Sequence, residues 1–214
     1  MIKLEKLPEP HVLHENKSKW TEEYKAAKAT NAPDLEQLKV RYRHPEIKQQ
    51  VLQETHEKCA YCESKIRHTY PGDIEHIKPK SKHEDDIFEW ENLTLSCGEC
   101  NRRKNDLYDE EIGIINPYDT DPSEHLYAAG ALIFPKPGSS VGKLAYELFE
   151  LDRAGLVERR TDQLTKVRLM LDDYASEKNI TLKKLYKKRI DALREAPNEY
   201  AMATRSLIKA ALSR

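Results

Sequence analysis

Four cysteines stand in two pairs of identical spacing, Cys59 with Cys62 and Cys97 with Cys100, and 34 residues separate the pairs. Two thiolates two residues apart reach one tetrahedral ion from a tight turn, and a second pair completes its coordination. The spacing therefore predicts a structural zinc site, with buried or redox-active thiols as the alternative and His56 as the one rival ligand. A closed four-thiolate site leaves no position for water or substrate, so we expect the zinc to stabilise the fold and other residues to carry the reaction.

Between the two cysteine pairs, two carboxylates and an imidazole follow closely in the segment Asp73-Ile74-Glu75-His76. In an extended strand Asp73 and Glu75 share one face, whereas His76 points to the other side or into a loop. Carboxylate oxygens suit a hard divalent cation, and a nearby imidazole that is not a ligand is suited to act as a general base. Asn101, directly after the last cysteine, can offer a neutral oxygen to the same ion. These residue types predict a metal-dependent hydrolase.

The segments DIEHIKPKS, WENLTLSC and CGECNRRKND resemble the HNH motif of the ββα-metal endonucleases, in the subtype braced by two Cys-x2-Cys knuckles. The resemblance implies that His76 is the general base and that Asn92 clamps the backbone of a loop. It further implies that Glu75 and Asn101 bind one magnesium or manganese ion, with Asp73 assisting the metal shell. The family more often has Asp or His where this chain has Glu75, which leaves the direct role of this ligand open.

Basic side chains flank the predicted site on both sides in the sequence. Because nucleic-acid affinity depends on local phosphate contacts, a chain with a net charge of -1 can still bind a phosphate backbone. We expect such contacts from five residues, with a solvated surface as the alternative: Lys78, Lys80, Arg102, Arg103 and Lys104.

Over about residues 58 to 106, the chain also resembles the PtuB-type nucleases of the Septu antiphage system, which are also found beside some retrons. This narrower resemblance implies a nuclease that acts with an ATPase partner of the PtuA type. The helices after residue 110 would then form a docking surface for that partner.

The secondary-structure signals place these motifs between two helical regions. Helices are predicted at 18–29, at 34–43 and from Pro45, and further helices follow from Lys143, with Thr181 and Pro197 starting the last two. A hairpin is predicted from strands at 66–69 and 73–77, with a turn at Pro71 and Gly72, and the run at 93–96 is a further extended segment. A short helix should open near Asn101, and a strand pair is predicted within 126–135.

The expected fold is therefore α+β and mostly helical, with a central ββα-metal finger. Three regions are predicted: helices at 1–57, the nuclease core at 58–110, and a mainly helical region at 111–214. The start of the chain lacks the apolar core of a signal peptide, so we expect a cytoplasmic protein that has no membrane span. The substrate is predicted to be DNA. A ribonuclease effector or toxin with the same site, or a non-catalytic zinc-ribbon binding module, is the alternative.

Overall fold

A computed structural model describes residues 1–66 and 70–213 of the chain. It contains two compact units. The N-terminal unit comprises Leu4–Ala60 and Lys65–Gly113, and the C-terminal unit comprises Met1–Lys3, Tyr61–Ser64 and Ile114–Arg214. The first of the three regions predicted from the sequence thus shares a unit with most of the second.

Three helices open the N-terminal unit: α1 (His11–Thr30), α2 (Leu35–Lys39) and α3 (Pro45–Glu54). Helix α1 begins seven residues before the predicted start, because Leu13 is fully buried and extends the apolar face beyond the periodic stretch. It ends at Asn31, which adopts the left-handed conformation that asparagine tolerates. The predicted second helix is split into α2 and a 3-10 turn, Val40–Arg43. Helix α3 begins at Pro45 as predicted, since proline suits the first helical turn.

A two-stranded antiparallel sheet follows, made of β1 (Asp73–His76) and β2 (Leu93–Ser96), and helix α4 (Gly98–Lys104) comes directly after it. The register pairs Asp73 with Ser96 and His76 with Leu93. The predicted strand–strand–helix order is present, and β1 pairs with β2, a pairing that the sequence did not predict. Within the predicted strand at 66–69, residues 67–69, including His68, lie outside the described residues. The pairing forms because Leu93 and Leu95 are fully buried on β2 and Ile74 of β1 is buried opposite Leu95.

The C-terminal unit contains a β-hairpin, β3 (Leu126–Ala129) with β4 (Leu132–Pro135), as the sequence predicts. Four helices follow: α5 (Ser140–Phe149), α6 (Ala154–Ser176), α7 (Ile180–Ala192) and α8 (Ala201–Leu212). The last three enclose a core of Val167, Leu171, Ile190 and Ile208.

The starts of the last two helices differ from the predictions. Helix α7 is capped by Asn179, whose side chain accepts hydrogen bonds from two backbone N–H groups, and not by Thr181. Helix α8 starts at Ala201, four residues after Pro197, because Tyr200 turns the chain into the left-handed region. The prediction of a mostly helical α+β fold is confirmed.

None of the helices within the described parts of the chain is both long and apolar enough to cross a lipid bilayer.

Candidate functional site

The four cysteines form one cluster. Their sulfur atoms all lie within 4.8 Å of one another, and none of these cysteines is in a disulfide. A tetrahedral zinc ion with Zn–S bonds of about 2.3 Å needs sulfurs roughly 3.8 Å apart, so these side chains fit such an ion. Within residues 1–66 and 70–213, no other group of three or more His, Cys, Asp or Glu side chains is arranged to hold a metal, and His56 is not in the cluster. The predicted clustering of the four cysteines is confirmed, and their binding of zinc stays a prediction.

His76 ends β1, and its imidazole is buried, with 3% of the residue exposed. Its Nε2 atom lies 3.0 Å from the carbonyl oxygen of Ile87. A carbonyl oxygen can only accept a hydrogen bond, so Nε2 carries the proton of the neutral ring and Nδ1 has its lone pair free. The ring of Tyr42 packs edge-on against the imidazole at 4.6 Å between centroids. The ring of His76 is thereby fixed in the tautomer that a general base at Nδ1 requires.

The surroundings of His76 also keep its ring neutral. The pKa of His76 is lowered to about 3, mainly by burial and also by the positive charges of Lys80 and Lys104, against the opposing effect of the Ile87 hydrogen bond. The neutral form therefore prevails at every pH near neutrality. Such a ring can accept a proton, although a low pKa reduces its driving force as a base.

Asn92 lies in the 3-10 turn before β2 and is buried. Its Oδ1 accepts a hydrogen bond from the backbone N–H of Lys78 at 2.7 Å. Its Nδ2 donates to the carbonyl oxygens of Lys78 at 3.1 Å and of Asp86 at 3.0 Å. These three bonds tie together the two ends of the loop that follows His76. The contribution of Asn92 to catalysis stays a prediction.

Asp73 and Asn101 meet where β1 faces α4. The Nδ2 atom of Asn101 donates to Oδ2 of Asp73 at 2.8 Å, and the hydroxyl of Tyr70 donates to Oδ1 of the same carboxylate. The negative charge of Asp73 raises the pKa of Tyr70 through that hydrogen bond. Two of the three ligands predicted for a divalent cation, Asp73 and Asn101, are thus in contact, and their binding of an ion stays a prediction.

Glu75 is buried and forms an ion pair with Lys104, with 2.8 Å between Oε1 and Nζ. Burial raises the pKa of Glu75, while the charge and hydrogen bond of Lys104 oppose that rise. The same ammonium donates to the carbonyl oxygen of His76 at 2.7 Å. A cation that used Glu75 as a ligand would compete with Lys104 for Oε1.

Lys104 itself is fully buried, so its predicted contact with a nucleic-acid backbone was wrong. Its ammonium group instead contacts Glu75 and the carbonyl oxygen of His76 inside the unit, and so links the end of α4 to β1. The other basic residues named from the sequence have exposed or partly exposed side chains. Lys78 lies 3.6 Å from Asp86, and Arg102 and Arg103 both pair with Glu99. Their contacts with nucleic acid stay predictions.

Two adjoining cavities give access to these groups. The first, of about 590 Å³, is lined by His76, Glu75, Lys80 and Asn101 among others. The second, of about 440 Å³, shares the last three of these residues and adds Asp73. The general-base candidate and the predicted oxygen donors therefore line two cavities that share residues, and a hydrolytic site requires such cavities for water and substrate.

The sequence did not predict that residues of the N-terminal helical region line these two cavities. Tyr42, Arg43 and Lys48 line the second cavity, and Lys28 and Lys39 line the first. The sequence predicts these helices by their apolar spacing alone, and that pattern carries no sign of which polar side chains reach a distant strand. The run of three aromatic and basic residues Arg41-Tyr42-Arg43 is the only local signal.

Comparison with known proteins agrees with this geometry. Residues 59–107 match the family described as HNH endonuclease. The chain is 29% identical over 209 residues to the Septu protein PtuB of Bacillus mycoides (strain KBAB4), which covers 79% of this chain and 71% of that protein. It is 34% identical over 83 residues to the Septu protein PtuB of Bacillus thuringiensis, covering 38% of this chain and 32% of that protein. The segment that matches the family contains every residue predicted to be catalytic or metal-binding.

Proposed function

We propose that this chain, whose residues 59–107 form an HNH endonuclease domain, hydrolyses phosphodiester bonds of DNA with the help of a divalent cation. The observation that carries this proposal is the tautomer of the His76 imidazole. Its Nε2–H is held by the carbonyl of Ile87, so Nδ1 is left as the proton acceptor. The same residue lines a cavity with Glu75 and Asn101. A zinc-ribbon binding module would need neither feature.

In the proposed reaction, Nδ1 of His76 accepts a proton from the water that attacks the phosphorus atom. The P–O3′ ester bond breaks as the new bond to the water oxygen forms, which leaves a 3′-hydroxyl and a 5′-phosphate, the products that the family resemblance implies. Asn92 forms hydrogen bonds to both ends of the loop after β1. These bonds keep the carbonyl oxygen of Ile87 within hydrogen-bond distance of the imidazole. The backbone of the loop thus positions the base.

The catalytic cation is proposed to be Mg²⁺ or Mn²⁺. Asp73, Glu75 and Asn101 would hold it, since carboxylate and amide oxygens are the ligands that these hard ions prefer. When bound, such an ion would neutralise the negative charge that develops on the phosphate oxygens and on the leaving oxygen. The four cysteines are proposed to hold a structural Zn²⁺, which a closed thiolate site suits.

We further propose that the chain is the cytoplasmic nuclease effector of an antiphage system. The similarity to two proteins named as Septu protein PtuB supports this proposal. The resemblance implies an ATPase of the PtuA type as partner, and helices α5 to α8 are the proposed docking region.

The test is cleavage of plasmid DNA and of total RNA, with Mg²⁺ or Mn²⁺, by the wild-type chain and by His76→Ala, with and without the ATPase. We expect DNA to be cut by the wild type and not by the variant. Cleavage of RNA alone would assign the ribonuclease function instead. Absence of cleavage of either substrate, with the partner present, would refute the nuclease proposal.

A further inference from the structure

The second cavity, next to the one that contains His76, is lined by side chains of both charges. Asp73 and Glu75 contribute carboxylates. Arg43, Lys48 and Lys80 contribute cations. Such a lining suits a ligand that carries negative charge close to a bound cation, and a phosphodiester next to a divalent ion has that property.

Carboxylates neutralise most of the cations that line the first cavity, whereas Arg43 of the second cavity and Lys80, which lines both, lack such a partner among the described residues. In the first cavity, three basic side chains are paired with carboxylates: Lys28 with Glu84, Lys39 with Glu36, and Arg102 with Glu99. In the second cavity, neither Arg43 nor Lys80 has an ion pair within the described parts of the chain. Lys48 donates to the carbonyl oxygen of Gly72 at 2.6 Å and interacts with the negative charge of Asp73, so it is an assisting member of this group. The second cavity therefore keeps positive charge available for an anion.

Tyr42 connects these cations to the general-base candidate. Its ring is buried, with 4% of the residue exposed. The guanidinium carbon of Arg43 lies 5.6 Å from the ring centroid, and Nζ of Lys80 lies 5.5 Å from it. The imidazole of His76 packs on the same ring at 4.6 Å. Cation–π contacts orient both basic groups without neutralising them, so an anion held by the two cations would lie beside the ring that supports His76.

We infer that Arg43 and Lys80, assisted by Lys48, form a binding site for a backbone phosphate of the nucleic-acid strand that is cleaved, beside the cavity that His76 lines. This inference rests on the proposed nuclease function. Arg43 is the informative member, because it is exposed and comes from the helical region before the HNH domain. Its planar guanidinium can donate two parallel hydrogen bonds to one phosphate.

Binding of a fluorescein-labelled DNA strand and of the same duplex, measured by anisotropy over a range of NaCl concentrations, tests the inference. The buffer contains neither Mg²⁺ nor Mn²⁺, so that the DNA stays intact. Arg43→Ala should weaken binding about tenfold and reduce the slope of log Kd against log salt concentration by about one. Arg43→Lys should keep that slope, because it keeps the charge.

Lys19→Ala is the matched control, since it removes one positive charge from a side chain of the same unit that is 72% exposed and absent from both cavities. Its affinity should stay within about twofold of the wild type. Equal affinity and equal salt slope in Arg43→Ala and Lys19→Ala would overturn the inference, as would a wild type that binds neither form of DNA. Because no cleavage is measured, these outcomes are separate from a failure of the nuclease proposal, which the plasmid assay detects.

Discussion

Lys104 provides a sharp test of how the site is built, because its ammonium is fully buried between two groups of β1. It lies 2.8 Å from Oε1 of Glu75 and 2.7 Å from the carbonyl oxygen of His76. Lys104→Met keeps the length of the side chain and removes both interactions. The carboxylate of Glu75, whose side chain is only 8% exposed, would then be buried without its counter-charge. Breaking a buried ion pair from one side costs about 3–5 kcal/mol of unfolding free energy.

The size of this loss should depend on pH. Burial raises the pKa of Glu75, and Lys104 is the main group that opposes the rise. In Lys104→Met the folded-state pKa of Glu75 is therefore higher still than that of an unfolded glutamate, which is about 4.3. A carboxyl group with a raised folded-state pKa imposes no penalty below its unfolded pKa and an increasing penalty as the pH rises towards its folded pKa. The variant should lose more stability at pH 7 than at pH 4.

Urea denaturation in the presence of zinc measures this effect. The double variant Glu75→Gln, Lys104→Met should recover part of the lost stability, because it removes the unpaired charge. Lys19→Met, at a side chain that is 72% exposed, should stay within about 0.5 kcal/mol of the wild type. The reasoning is refuted if Lys104→Met is as stable as Lys19→Met, or if the added Glu75→Gln substitution gives no recovery at pH 7.

Three further predictions follow from the same contacts. The pKa of His76 is lowered to about 3, so unfolding takes up a proton below about pH 6.5 and wild-type stability should fall there by about 1.4 kcal/mol per pH unit from this residue. His76→Gln should lose that share of the slope, and identical slopes in urea titrations at several pH values would contradict the burial argument. Metal analysis should find about one zinc per chain, and its removal, or Cys97→Ser, should lower the thermal midpoint; a zinc-free protein with an unchanged midpoint would exclude a structural role. Asn92→Ala removes three hydrogen bonds to the loop and should cost about 2–4 kcal/mol, measured by urea denaturation, whereas a loss below about 0.5 kcal/mol would mean that the loop holds without it.

The features that depend on short sequence spacing could be predicted. Two residues between cysteines fix the geometry of each knuckle locally, and the four-cysteine cluster forms as expected. Pro45 likewise starts a helix because its ring sets the required φ angle.

The errors concern contacts between residues far apart in the chain. The partner of β1 depends on which apolar strand it buries, and the segments at 66–69 and 93–96 both carry an extended signal. The prediction used the nearer segment, of which residues 67–69 lie outside the described residues, and it did not foresee the pairing of β1 with Leu93–Ser96. Lys104 looked like a surface cation, because only the packing of α4 on β1 buries it. Arg43 was not predicted as a site residue, because a helical pattern does not show that a side chain lines a cavity next to a distant strand.

The central claim is that His76 acts as the general base of a nuclease. The most direct measurement is the single-turnover rate of plasmid DNA cleavage at neutral pH with Mg²⁺ or Mn²⁺ and the ATPase partner, for the wild type and His76→Ala. His14→Ala is the control, because its side chain is 78% exposed. We predict that His76→Ala cleaves about 10² to 10⁴ times more slowly, while His14→Ala stays within about twofold of the wild type. Equal rates for His76→Ala and the wild type would contradict the account.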